Sequence, residues 1–210
     1  MVDGSPISRG QFAKGVDHTA AWLAAHGIGE SDVVAVWLVN RLEWATLLFA
    51  AARLGAVIAA VNTRYRSAEV QHLLGLSRAK MLVMQAQFRS IDFAAILAGI
   101  DRAAVPDLQK LAIVGTGKVT APWPCVRFDA FEKGHPRIPT LQAEVDLPVL
   151  LYTTSGTTKE PKLVAHSQAT LAGHAVSVAR ALAVSPGQYS LLAMLPFCGT
   201  FGMSAVLAFL

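Results

Sequence analysis

A run of hydroxyl and glycine residues between Tyr152 and Lys162 has the composition of an anion-binding loop. The run reads Thr153-Thr154-Ser155-Gly156-Thr157-Thr158-Lys159-Glu160-Pro161, and a short apolar segment precedes it. Successive backbone N–H groups and hydroxyls can turn inward on an anion, and a glycine lets the main chain approach it closely. A lysine adds a positive point charge to a polyphosphate. The run is therefore a candidate phosphate site.

A second interpretation of this run is a solvated Ser/Thr turn between a strand and a helix, which is common in α/β proteins. Composition alone does not choose between the two. The run is not a Walker loop, because no Gly-Lys-Ser/Thr triplet ends it. An ordinary P-loop kinase or GTPase is therefore not indicated.

Other polar residues near the run have simpler explanations. His166 could contact a phosphate, but a histidine at the start of a helix is more often a capping or packing residue. Arg64 and Arg66 could meet an anion, but they also fit a solvated loop. Cys125 and Cys198 are far apart and match no metal-ligand spacing, so we interpret them as reduced thiols. None of these residues joins the predicted site.

The elements that would position the run alternate between strands and helices. Ser8 and Gln11 have the spacing of a capping box for a first helix that Gly27 can stop. Gly55 can end the second helix, and Ser67 is the expected N-cap of the third. Strands are predicted at 33–38, 56–61, 81–84, 111–114, 147–152 and 191–195, and helices at 43–54, 67–77, 93–97 and 167–182. Such alternation predicts an α/β fold, with mostly parallel sheet layers covered by helices.

The composition is that of a packed globular protein. Of the 210 residues, 53% are hydrophobic and 15% charged, which excludes the profile of a disordered segment. The formal net charge is +4, but Lys and Arg form no run, so no nucleic-acid partner is predicted. The most membrane-like stretch, 44–61, is interrupted by Arg53 and Gly55, and the first residues do not resemble a secretory signal. We therefore expect a cytoplasmic protein without a transmembrane segment.

A change in composition divides the chain. Prolines and glycines punctuate the polar stretch 115–146, which cannot hold a long helix. We therefore predict a first α/β subdomain at 1–114, a connecting segment at 115–146, and at 147–210 the start of the region that carries the candidate loop.

The motif Thr154-Ser155-Gly156-Thr157-Thr158 followed by Pro161-Lys162 resembles the phosphate-binding signature of the adenylate-forming superfamily. This superfamily includes AMP-forming acyl-CoA synthetases, peptide-synthetase adenylation domains and firefly luciferase. Similarity extends over nearly the whole chain, through Leu54-Gly55-Ala56-Val57, Val61-Asn62-Thr63-Arg64-Tyr65 and Leu195-Pro196-Phe197 with Phe201-Gly202. The resemblance favours the phosphate-site interpretation of the run.

The resemblance implies a two-step ligase reaction. A carboxylate attacks the α-phosphate of ATP to give an acyl-adenylate and pyrophosphate, and a thiol, usually of coenzyme A, then displaces AMP. The implied ligands are ATP, Mg²⁺, coenzyme A and a carboxylic acid. The residues implied to hold the β- and γ-phosphates are Thr154, Ser155, Gly156, Thr157, Thr158 and Lys162. No catalytic residue or metal ligand is assigned within the chain.

Two departures from the family pattern concern positions outside the loop. Gln168 and Gly199 stand where the family often has histidine, and Gly199 would leave room for a bulkier acyl or aryl group.

The resemblance also implies that the chain is an N-terminal fragment. The family's adenine and ribose motifs, its magnesium-binding glutamate and its catalytic lysine correspond to positions beyond Leu210. The expected partners are the missing C-terminal part or further copies of the chain. Three interpretations follow: a fragment of an acyl- or aryl-CoA synthetase, a fragment of a peptide-synthetase-type or luciferase-like relative, and a catalytically inactive remnant that binds nucleotide weakly or not at all.

Overall fold

The computed structural model describes residues 6–129, 144–154, 161–185, 187 and 189–210. Its helices are α1 (Arg9–Ala25), α2 (Leu42–Leu54), α3 (Ser67–Ser77), α4 (Phe93–Ala98), α5 (Gln168–Ala181) and α6 (Thr200–Phe209). Its strands are β1 (Val33–Trp37), β2 (Val57–Ala60), β3 (Met81–Met84), β4 (Gln87–Phe88), β5 (Ile91–Asp92), β6 (Lys110–Val114), β7 (Cys125–Phe128), β8 (Pro148–Thr154) and β9 (Lys162–Ser167). Among these residues, no helix is both long enough and apolar enough to cross a bilayer.

The described residues form a seven-stranded sheet with β1 at its centre. The strand order is β7-β6-β3-β1-β2-β8-β9, and every pairing is parallel except that of β8 with β9. Strands β4 and β5 form a separate antiparallel pair. The α/β class with a mostly parallel sheet, predicted from the alternation of elements, is confirmed.

Helices cover both faces of the sheet, which explains why its strands are apolar without alternation. Val34 and Val36 of β1 face a core cluster that includes residues of α1 and α2. Ala35 and Trp37 face a second cluster that includes residues of α3 and α4. In the second cluster the Trp37 ring meets Phe93 edge to face, with ring centroids 4.9 Å apart. Strands β1, β2, β3 and β6 therefore contribute alternate residues to two cores.

The local signals for helix ends are confirmed at α1 and α2 and differ at α3. Gln11 N–H donates to Ser8 Oγ, and Ser8 N–H donates to Gln11 Oε1, which completes the predicted capping box. Gly55 ends α2 with φ 67°, a conformation that few other residues adopt without strain. The N-cap of α3 is Arg66 rather than Ser67, because the Ser67 hydroxyl instead donates to the carbonyl of Ile96 at 2.6 Å.

Strand β7 was not predicted. It lies within the segment 115–146 and pairs in parallel with β6, from Leu111 opposite Cys125 to Val114 opposite Phe128. Burial does alternate along it, since Cys125 and Arg127 are exposed and Phe128 is buried, but the run is only four residues long and follows two prolines, so the sequence carried little signal. Strand β8, on the far side of this segment, pairs with β2 of the same sheet. The division of the chain at 114 and 146 stays a prediction.

The predicted strand at 191–195 was wrong: the structure assigns these residues to no strand. A strand needs a neighbour to satisfy its backbone groups. The described residues place no strand beside this segment, which is held through the side chain of Asn40 instead. The apolar pattern that suggested a strand belongs to exposed side chains, since Leu192 is 77% and Met194 76% exposed.

Candidate functional site

The candidate site lies at the carboxyl edge of the sheet. Strands β1, β2 and β8 run parallel, so their carboxyl ends share one edge, where α/β proteins commonly bind ligands. Strand β9 runs the opposite way and therefore begins at this edge. Thr154, the last residue of β8, lies directly opposite Lys162, the first residue of β9. Both residues are exposed.

The structure brings two of the six predicted site residues together. Thr154 and Lys162 are cross-strand partners, which places a hydroxyl and an ammonium group at one end of a hairpin. Ser155, Gly156, Thr157 and Thr158 lie outside the described residues. Their assignment to a phosphate site stays a prediction.

The candidate run connects two strands, whereas the sequence predicted the helix at 167–182 as the next element after the loop. Strand β9 occupies 162–167, and α5 begins only at Gln168. The alternation in β9 is too weak to have predicted it, because its burial changes little along the strand. The strand that was predicted to precede the run is present as β8.

Two side chains from the segment after β2 contact the flanks of the candidate run. The Tyr65 hydroxyl donates to Thr153 Oγ1 at 2.8 Å. The His72 ring, through Nε2, bonds the carbonyl oxygen of Pro161 at 3.1 Å. Because a carbonyl only accepts, Nε2 must carry the proton. Sequence reasoning missed both residues, although Tyr65 lies in a segment that carries the family resemblance.

The segment 193–197 is fixed beside this edge by Asn40, which follows β1. The Asn40 amide donates to the carbonyls of Ala193 at 2.9 Å and Leu195 at 2.8 Å. Its Oδ1 accepts from the Phe197 N–H at 2.9 Å. One amide side chain therefore satisfies three backbone groups that lie more than 150 residues away in sequence.

A buried thiol and a buried phenol lie where this segment meets the rest of the edge. Burial raises the pKa of the Cys198 thiol, and the backbone N–H of Thr63 and the charge of Arg64 partly offset the rise. Burial also raises the pKa of the Tyr152 hydroxyl, and the charge of Cys198 adds to it. Among the described residues the Tyr152 hydroxyl has no hydrogen-bond partner. Cys198 and Tyr152 belong to the same buried core cluster, the one that includes residues of α1 and α2.

The remaining polar candidates have structural roles. His166 lies within β9, opposite Leu150, and its ring meets Tyr152 edge to face at 5.6 Å between centroids. Gln168 donates through Nε2 to the carbonyl of Ala52 at 3.0 Å and so joins α5 to the end of α2. Gly199 precedes α6, and a Cβ there would meet only ordinary contact, with the Pro196 oxygen at 3.6 Å.

The donor set at the hairpin suits an oxyanion better than a metal ion. A hydroxyl and an ammonium can both donate to phosphate oxygens. The described residues contain no group of three His, Cys, Asp or Glu side chains that could hold a metal.

The fold is that of an α/β protein, and the hairpin lies at the carboxyl edge of its parallel strands, the edge at which such proteins commonly bind ligands. The chain belongs to the family of AMP-binding enzymes, whose model matches residues 2–210. Membership of the adenylate-forming superfamily, first indicated by the motif around Thr154, is thereby confirmed.

Two curated proteins and one solved structure illustrate the similarity. YngI of Bacillus subtilis (strain 168), named provisionally as an acyl-CoA synthetase, is 36% identical over 100 residues, which are 48% of this chain and 18% of YngI. The mitochondrial medium-chain acyl-CoA ligase ACSF2 of Danio rerio is 27% identical over 180 residues, which are 77% of this chain and 29% of ACSF2.

A solved structure shows the same fold. The o-succinylbenzoate CoA synthetase (MenE) of Bacillus subtilis, determined with its acyl-adenylate intermediate, superposes with a TM-score of 0.71 at 22% identity. The match covers 97% of this chain and 47% of the MenE chain. The chain thus spans less than a third of the two curated relatives and about half of this solved structure.

Proposed function

We propose that the chain supplies the phosphate-binding part of an AMP-forming acid–thiol ligase. The observation that carries this proposal is the pairing of Thr154 with Lys162 at the carboxyl edge of the sheet, in a chain that matches the family along its length. The names of the two curated relatives and of MenE support acyl- or aryl-CoA synthesis as the parent reaction.

In the proposed reaction an oxygen of the substrate carboxylate forms a bond to the α-phosphorus of ATP. The bond from this phosphorus to the bridging oxygen breaks, and pyrophosphate leaves. The sulfur of coenzyme A then bonds to the acyl carbon, and AMP leaves with the electron pair of the broken acyl–oxygen bond. Thr154 and Lys162 would hold the β- and γ-phosphates during the first step and so orient the leaving group.

Magnesium would neutralise part of the phosphate charge when ATP is bound. Lys162 is exposed at the start of β9, so its ammonium group can move onto a phosphate oxygen without losing a protein partner recorded in the described structure. Its role is that of a point charge, which does not demand the fixed geometry of an arginine fork.

The carboxylic acid would bind beside the segment that follows Pro196. Phe197 of this segment donates its N–H to Asn40, which follows β1, so the segment lies at the carboxyl edge of the sheet, as Thr154 does. The space left by Gly199 favours a bulky acyl or aryl group over a short one. The predicted cytoplasmic location and the expected partners, a C-terminal part or further copies, stay predictions.

Titration calorimetry with magnesium tripolyphosphate tests the proposal, because this probe needs no adenine-binding motif. We expect saturable binding, and we expect Lys162→Ala to weaken it about tenfold, as for the loss of one charge-assisted contact to phosphate. Lys14→Ala, which removes an exposed lysine on α1, is the matched control and should leave the affinity unchanged. Equal affinities for the two variants would refute the assignment of Lys162.

A catalytically inactive remnant is the second candidate function. Exposed apolar side chains between 189 and 201 favour it, because Leu192, Met194 and Phe201 are between 76% and 85% exposed. Such a surface is typical of a chain that requires a further covering element. The titration separates the two candidates, since a remnant without a phosphate site shows no saturable binding at millimolar probe.

A further inference from the structure

The hairpin that carries Thr154 and Lys162 projects beyond the rest of the sheet. Strand β8 pairs with β2 only at Leu150 and Leu151, so its last three residues have no partner on that side in the described structure. On the other side they pair with β9, which is an edge strand. A two-stranded hairpin by itself is marginally stable in water. Something other than the sheet must hold these strand ends in place.

Tyr65 and His72 make contacts of this kind. The Tyr65 hydroxyl bonds Thr153, one residue before Thr154, and the His72 ring bonds Pro161, one residue before Lys162. Each strand of the hairpin therefore has a contact next to its predicted phosphate ligand. Both hydrogen bonds are partly buried, which makes them less subject to competition from water than fully exposed ones.

The other ends of these contacts are anchored in the core. Tyr65 packs against the cluster on the α3 side of the sheet. His72 belongs to α3, whose Val70, Leu73 and Leu74 are at most 1% exposed. A helix seated this firmly cannot follow the hairpin if it moves. The two contacts therefore fix the strand ends relative to the core.

We propose that Tyr65 and His72 are positioning residues that hold Thr154 and Lys162 at the spacing a polyphosphate requires. The inference rests on the proposed phosphate site. Neither side chain need touch the ligand, because each acts through the residue that it bonds. Their benefit is preorganisation: a ligand that meets fixed donors does not have to order the hairpin as it binds.

The test combines five variants of the chain, two of them controls, with magnesium tripolyphosphate titration. Tyr65→Phe removes one hydroxyl, and His72→Leu removes the ring N–H. Each should weaken binding about three- to tenfold, the range for loss of one hydrogen bond. His72→Gln keeps an N–H near the position of Nε2 and should restore most of the affinity. Tyr189→Phe and His174→Leu, at exposed positions outside the site, are the matched controls and should bind like the unmodified chain.

Amide hydrogen exchange gives a second readout that a general loss of stability would not reproduce. Tyr65→Phe and His72→Leu should speed exchange in 150–154 and 161–167 but leave exchange in β1 unchanged. Uniformly faster exchange, or variants that bind like the two controls, would overturn the positioning role. If the unmodified chain does not bind tripolyphosphate, the proposed function fails. The positioning role is then tested by exchange alone, and unchanged exchange in 150–154 and 161–167 of both variants overturns it.

Discussion

The amino-terminal region, 6–129, buries many more of its side chains than the described part of the carboxyl-terminal region, 161–210. In the first, helix α1 alone buries seven residues, and the central strands are inaccessible on both faces. In the second, α5 buries only Ala175, and none of the residues of β9 is buried in the described structure. The first region therefore carries its own core, whereas the second depends on contacts that the first provides.

This difference explains where the candidate site lies. Asn40, His72 and the carbonyl of Ala52 belong to the well-packed region, and each bonds a residue of the less packed one. Tyr65 bonds Thr153 of β8, the strand that lies between the two regions in the chain. The predicted phosphate ligands lie at this junction. A rigid scaffold of this kind is how binding sites on loops generally obtain precision.

The largest expected effect contrasts one buried and one exposed side chain. Trp37 is completely buried against Phe93, so Trp37→Ala should lower the free energy of unfolding by about 3–5 kcal/mol. Leu192, which is 77% exposed, is the control, and Leu192→Ala should change the free energy of unfolding by less than about 0.5 kcal/mol. Urea unfolding of both variants measures the difference. A similar loss of unfolding free energy in both variants would contradict the difference in burial between the two regions.

Two glycines test how closely the helices of the carboxyl-terminal region pack against their neighbours. A Cβ at Gly202 of α6 would collide with the carbonyl oxygens of Pro196 and Leu195, so Gly202→Ala should destabilise by about 1–3 kcal/mol. Gly173, within α5, has nothing within 4 Å of its Cβ position. Gly173→Ala should therefore stabilise by about 0.5–1 kcal/mol through helix propensity. Thermal unfolding compares the two, and opposite signs are the expected result.

The smallest expected effect concerns the junction itself and appears only at alkaline pH. Burial raises the pKa of the Cys198 thiol above the value of about 8.5 that it has in the unfolded chain. The unfolded chain therefore loses this proton first as the pH rises. The contribution to stability is complete below about pH 8 and declines above about pH 8.5, with a limiting slope of about 1.4 kcal/mol per pH unit.

Cys198→Ala should remove most of this decline between pH 8 and pH 9.5, as measured by urea unfolding at each pH. Cys125→Ala is the comparison: burial raises the pKa of this thiol too, but Cys125 is exposed and less buried than Cys198, so its removal should change the decline less. Tyr152 contributes only at higher pH, above the ordinary tyrosine pKa of about 10. A decline that persists in Cys198→Ala would show that the thiol is not held as the structure has it.

Features that depend on neighbouring residues in the chain could be predicted from the sequence. The capping box at Ser8, the left-handed Gly55 and the apolar runs of β1, β2 and β3 all follow from local chemistry and periodicity. These signals are strong because hydrogen bonds at helix ends and burial on both faces constrain the residue types directly. The predicted class followed from their alternation, and family membership followed from the motif around Thr154.

Features that depend on pairing between distant segments required the tertiary structure. Whether 162–167 and 125–128 become strands, and 191–195 does not, is decided by which neighbour offers free backbone groups. The same holds for Asn40, Tyr65 and His72, whose partners lie 88 or more residues away in sequence. The sequence determined which residues could bind a phosphate and which segments would be buried. Only the folded chain showed which distant side chains bond the residues next to Thr154 and Lys162, because side-chain hydrogen bonds across the fold leave no periodic trace.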